Sequence, residues 1–100
     1  MKSFDEFYLY YLEQHKNFYN RVMHFIAGCI FLSFTPFCIL NGYFLRIPLV
    51  ILVSYAFAWT GHYVFEKNKP ATFGHPLYSI RGEFRMFFEL LSSKRPFREK

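Results

Sequence analysis

Four residues of this chain have the types and spacing to hold a metal ion: His15, His24, His62 and Glu66. Neutral imidazole brings a nitrogen lone pair and a carboxylate an anionic oxygen, and together they are the ligand mix of a non-haem Fe(II) site. His62 and Glu66 are four residues apart, so a helix through both sets them on one face. His15 and His24 are nine apart, which at roughly 100° per residue places them on opposite faces of one continuous helix. The intervening "HKNFYNR" carries two asparagines and reads as a break, and a turn there folds His15 back toward His24. His75, in a later loop, could add a ligand or shield the site. Each piece also has a plainer reading. A histidine near the end of an apolar segment is commonly an interfacial residue, and His62 with Glu66 can be a simple helix-surface pair.

The elements that must position these residues are two apolar runs. Residues 22–40, "VMHFIAGCIFLSFTPFCIL", and residues 47–65, "IPLVILVSYAFAWTGHYVF", each contain 19 residues, enough to cross the roughly 30 Å hydrocarbon layer of a bilayer. Asn20 is a candidate cap for the first. "NGYFLR" is a short connection with Asn41-Gly42 as its turn signal, and Pro48 is tolerated near the start of the second run. The second helix is expected to continue to about Asn68, because Pro70 biases Lys69 away from helical angles. In an antiparallel hairpin the start of the first run and the end of the second lie on the same side of the membrane. His24 and His62 then meet at similar depth. Ionisable groups inside a membrane are costly and point to function by default. Paired histidines from two helices also suit a bis-histidine haem, and a non-catalytic membrane interaction protein is a further alternative.

Two amphipathic helices flank the hairpin. Ser3 and Glu6 have capping-box spacing, and Phe4, Phe7, Tyr8, Tyr11 and Leu12 follow on one face, suited to the membrane interface or to packing on the other helices. "PATFGHPLYS" reads as a loop. "IRGEFRMFFELLSS" then places Phe84, Phe87, Phe88 and Leu91 on one helical face, with Glu83, Arg85 and Glu89 elsewhere, before the basic tail "KRPFREK". The expected fold is all-α: one membrane-embedded domain over residues 1–100, a two-span hairpin flanked by two interfacial helices. A soluble helical bundle with unusually apolar helices is the competing architecture.

Composition supports the membrane reading. Hydrophobic residues make up 53% and aromatics 24%, so the fifteen Phe and eight Tyr cannot all be hidden from solvent in 100 residues. The formal charge is +5, but Arg46 alone of the basic residues lies between positions 22 and 66. Charge sorted in this way fits a membrane protein with both termini cytoplasmic. A basic chain can also bind nucleic acid, yet no zinc-finger, Gly-rich or helix-turn-helix pattern accompanies the charge, so no nucleic-acid partner is expected. Cys29 and Cys38 are nine apart, roughly 13 Å along a helix, and read as buried thiols. No basic n-region with a cleavage motif opens the chain, so no secretory signal is expected.

The pattern H-x4-NR-x2-H-x3-G (His15, Asn20, Arg21, His24, Gly28), then GH-x2-FEKN-x-PATF-x2-PL-x-S (Gly61 through Ser79), then "RGEFRMF", resembles a family of small membrane proteins. That family is typified by the fungal 2-hydroxy fatty acid dioxygenase of phytosphingosine breakdown, and the similarity is closest to its short bacterial members. The resemblance implies an Fe(II)-dependent enzyme of lipid α-oxidation that uses O2 to shorten a 2-hydroxy fatty acid by one carbon. It implies His15, His24 and His62 as metal ligands, with Glu66 a fourth ligand or a supporting partner. It leaves His75 without a role. On this reading Arg21, Arg81 or Arg85 receives the substrate carboxylate, phospholipid contact being the alternative for all three. The setting is the lipid bilayer: a bacterial inner membrane, or the endoplasmic reticulum in a eukaryote.

Overall fold

The computed structural model describes residues 3–70 and 74–97. Residues 71–73 of the loop motif and the last three of the basic tail lie outside the described residues. Helix α1 spans Phe4–Glu13, and the Ser3 hydroxyl caps it by accepting from the Glu6 amide at 3.2 Å. Phe4, Phe7, Tyr8 and Tyr11 are buried, the face expected from their spacing.

Helix α2 spans Phe18–Leu40 and begins a turn earlier than expected. Asn17, not Asn20, is the cap: its side-chain oxygen accepts from the amides of Tyr19 and Asn20 at 2.8 and 3.2 Å. Asn17 sits at extended backbone angles directly after the turn that carries His15, so it intercepts the free amides first. Asn20 becomes an interior helical residue. A short 3-10 turn, Phe44–Arg46, leads into α3, Ile47–Thr60.

The end of α3 departs from the expected α-helix. From Gly61 to Glu66 the chain widens into a π-helical turn, and Lys67 stops it in the left-handed region at φ 62°. The Asn68 amide reaches back to the His62 carbonyl at 3.0 Å. Pro70 therefore does not set the end; the wide turn does, and such turns recur at functional sites.

Helix α4, Pro76–Leu91, starts before residue 80 because Pro76 occupies its first turn, where its missing N–H costs nothing. Its buried side is Ser79, Gly82, Met86, Phe87 and Leu90, a stripe at helical spacing, whereas Phe88 and Leu91 face outward. The expected Phe84–Phe87–Phe88–Leu91 face is thus rotated. Glu83 has partners inside, and a partnered carboxylate on the stripe draws the helix round.

Helices α2 and α3 form the hairpin, and α4 lies along α2, with Phe87 stacked on Phe25 and Phe84 beside Phe31. Helix α1 closes over α4 in a core of Phe4, Phe7, Tyr8, Tyr11, Met86 and Leu90. The described residues contain no strand. Two helical stretches, Phe18–Leu40 and Phe44–Glu66, are long and apolar enough to cross a membrane, and only 22% and 11% of their most apolar windows are buried inside the protein. A core helix of a soluble bundle would be mostly covered; these present Leu, Ile and Phe outward, which lipid accommodates and water does not.

One contact places the π-helical turn against α2. A Cβ at Gly61 would lie 2.2 Å from the Asn20 side-chain oxygen and 3.2 Å from its Cα. Gly61→Ala is expected to cost about 1–3 kcal/mol by forcing these backbones apart, while Gly74→Ala, with open space around it, stays near wild type. Thermal unfolding of the two purified variants measures the difference; equal midpoints would mean that the approach at Gly61 is not tight.

Candidate metal centre

Three elements each deliver one histidine to a common point. His15 comes from the turn after α1, His24 from the second turn of α2 and His62 from the π-helical turn. All three are buried, with 1%, 4% and 1% of their surface exposed. Their ring centroids are 4.4 to 4.9 Å apart and their planes nearly perpendicular, at 78° to 86°. One ring nitrogen from each lies within 4.8 Å of one from each of the others.

Hydrogen bonds set which nitrogen that is. His15 Nδ1 faces the Tyr11 carbonyl at 2.6 Å, His24 Nδ1 a Glu83 carboxylate oxygen at 2.7 Å, and His62 Nδ1 the Asn68 side-chain oxygen at 2.7 Å. The Asn68 amide group is itself oriented, because its NH2 donates to the Gln14 backbone and side-chain oxygens at 3.0 Å. Carbonyl, carboxylate and amide oxygens only accept, so every Nδ1 must carry the proton. The Nε2 lone pairs are left over. Those of His15 and His24 are buried with no hydrogen-bond partner among the described residues. Buried orphaned acceptors are uncommon and call for an explanation; a divalent cation held between them would satisfy them. The donor set fits a metal, and oxygen acceptors behind the imidazoles are the usual support for metal-bound histidine.

Electrostatics favour the ligand form. Burial, reinforced by the neighbouring His24 and His62, pushes the His15 pKa well below the usual imidazole value, so the ring is neutral. Burial alone would raise the Glu83 carboxyl, but His24 beside it and the hydrogen bonds from His24 and Tyr11 outweigh this and hold its pKa below the usual value. Tyr11 links two of the histidines: its hydroxyl donates to Glu83, the partner of His24, and its ring stacks on His15 at 4.0 Å.

The other residues singled out in the sequence lie elsewhere. Glu66 turns away from the histidines, and its Oε1 accepts from the Asn17 amide at 2.8 Å and from Asn20 Nδ2 at 3.0 Å. The π-helical turn breaks the four-residue register that would have stacked it over His62. Arg21 is fully buried, and it donates to the His15 carbonyl at 2.6 Å and the Pro96 carbonyl at 2.8 Å. Arg81 and Arg85 are on the exposed side of α4, over the rings of Phe4 and Tyr8 at 4.1 and 4.2 Å. His75 precedes α4, its ring 5.2 Å from that of Phe7. Glu83 and Asn68 were not selected by spacing. Both stand inside quoted motifs, "RGEFRMF" and "FEKN", and Glu83 lies one turn from Ser79 on the buried stripe, a carboxylate where an apolar residue would be ordinary.

The histidines sit at one end of a cavity of about 280 Å³ between α2, α3 and α4. Its other walls include Phe31, Ile51, Tyr55, Trp59 and Phe84. An all-helical hairpin with buried histidines able to hold a metal ion, opening on an apolar cavity, is the class that fold and site define. Residues 1–95 match the family described as 2-hydroxy-palmitic acid dioxygenase Mpo1-like, and the chain belongs to that family. No curated protein and no solved structure matches it.

Glu83→Gln keeps the shape but removes the charge behind His24. Loss of such a supporting partner typically costs 10–100-fold in metal affinity, and that range is expected here in a chelator competition titration. Glu89→Gln, whose carboxylate is held by Tyr8 and Arg95, should not change affinity. Equal affinities for all three proteins would remove Glu83 from the centre.

Proposed function

We propose that this protein is an Fe(II)-dependent membrane dioxygenase that shortens 2-hydroxy fatty acids by one carbon, with His15, His24 and His62 as the metal ligands. The observation that carries the reading is the convergence of three tautomer-locked imidazoles at the head of an apolar cavity. Family membership supplies the substrate class, since the family description names 2-hydroxy-palmitic acid.

Iron(II) held there would supply the redox centre where O2 and the hydroxy acid meet. The residues do the rest. Imidazole ligands bring no negative charge, so the anionic oxygen that such sites use would come from the carboxylate of the acid, with its 2-hydroxyl beside it. Phe31, Ile51, Tyr55, Trp59 and Phe84 take the acyl chain, each buried CH2 contributing roughly 0.8 kcal/mol. The same walls exclude water from the reacting end. The overall change balances without another reductant: hydroxy acid plus O2 gives the acid one carbon shorter, carbon dioxide and water. The bond between the carboxyl carbon and the α-carbon breaks, and the electrons released by both carbons reduce the oxygen.

Residues 1–100 act as one membrane-embedded domain, with α2 and α3 crossing a bacterial inner membrane or the endoplasmic reticulum. The histidine end of the hairpin and both termini lie on the cytoplasmic side, where the flanking Lys and Arg gather. A bis-histidine haem fits poorly, because a third imidazole 4.4 to 4.5 Å from each of the other two leaves no plane for a macrocycle.

His15→Ala, His24→Ala and His62→Ala are each expected to lose bound iron and activity together, while Cys38→Ala keeps both. Protein with Fe(II) and 2-hydroxypalmitate in air should yield the acid one carbon shorter by mass spectrometry, with no product without oxygen. Palmitate itself should inhibit weakly and not turn over. Full iron content in all three histidine variants, or oxygen-independent product, would refute the proposal.

A further inference from the structure

The three arginines proposed from the sequence as carboxylate receptors do not face the cavity, so the acid needs another donor. Arg21 is held by the carbonyls of His15 and Pro96, and Arg81 and Arg85 cover rings on the outside of α4. Ser79 stands in the right place. It closes the motif that begins at Gly61 and is a residue of it that the metal centre leaves without a role. It is 4% exposed, and its hydroxyl has no hydrogen-bond partner among the described residues. It lines the same cavity as His24 and His62, as does Glu83 one helical turn further along α4. A buried hydroxyl on a largely apolar wall is unfavourable unless something accepts from it.

We infer that Ser79 is a substrate-binding residue that donates its hydroxyl hydrogen bond to the carboxylate of the acid, fixing which end of the lipid faces the histidines. The inference rests on the dioxygenase reading for its substrate class. Ser54 is the instructive contrast. Its hydroxyl is also buried without a partner among the described residues and lines the cavity. It lies on α3, eight residues before His62 and so roughly 12 Å away along the helix, beside the acyl chain and away from the head group. The carboxylate is thus received by a neutral donor, which leaves the acid its negative charge for the metal. It also makes the binding step sensitive to esterification.

The test uses Trp59, the one tryptophan of the chain and a wall of the cavity. The full-length protein in detergent micelles, without added metal, is mixed with a dibrominated stearate that quenches Trp59. The quencher is then displaced with 2-hydroxypalmitate or with its methyl ester. Wild type should prefer the acid. Ser79→Ala and Ser79→Cys should each reduce that preference about tenfold, the usual effect of losing a hydrogen bond to a charged group. Ser79→Thr should restore it and Ser54→Ala should leave it intact. The inference is overturned if wild type does not prefer the acid, if Ser79→Ala keeps the full preference, or if it weakens acid and ester alike. Wild type that prefers the acid here but forms no shortened acid with iron and oxygen would overturn the dioxygenase reading and leave the Ser79 assignment standing.

Discussion

Three imidazoles packed edge to face, away from water, each need an acceptor for the ring N–H. This condition governs the rest of the structure. The acceptors are a main-chain carbonyl of α1, a carboxylate of α4 and a side-chain amide just after the π-helical turn. None is close to its histidine by accident of sequence except Tyr11, one turn before His15. The other two require α4 to lie along α2, and the chain after His62 to curl back beneath it. Burial, with His24 and His62 beside it, holds the His15 pKa well below the usual imidazole value, so the geometry that suits the cluster to a metal also keeps that ring neutral.

Much of the packing can be read as serving that condition. Glu83 must be inside to meet His24, which turns α4 so that Phe88 and Leu91 face out and Phe87 lies over Phe25. Tyr11 meets Glu83 and covers His15, so α1 is held to the site by a hydrogen bond and a ring face as well as by its apolar stripe. Arg21 fastens the turn carrying His15 to the chain near Pro96. Glu66 fastens the π-helical turn to the start of α2. These polar side chains do for the site what a larger hydrophobic core would do in a longer protein. That suits a chain whose apolar surface is largely turned outward.

The hairpin, the face of α1 and the meeting of the three histidines were legible because each depends on local signals: run length, helical periodicity, and asparagines that break a helix. What the sequence hid depends on tertiary partners. Asn17 and Asn20 are equally good caps, and only the position of the His15 turn decides between them. The π-helical turn leaves no periodic trace, so Glu66 looked like a neighbour of His62 when it is a neighbour of Asn20. Glu83 looked like a solvent-side charge of an amphipathic helix, since a carboxylate's partner 59 residues away cannot be seen from spacing. The arginines were assigned by charge alone, and their actual contacts are carbonyls and aromatic rings.

The central claim is that three histidine Nε2 atoms together hold one iron. X-ray absorption at the iron edge of protein loaded anaerobically with Fe(II) tests it directly. The account predicts light nitrogen and oxygen scatterers in the first shell with the outer-shell signature of three imidazoles, reduced to two in His15→Ala. A porphyrin signature, or a first shell of oxygens without imidazole, would contradict it.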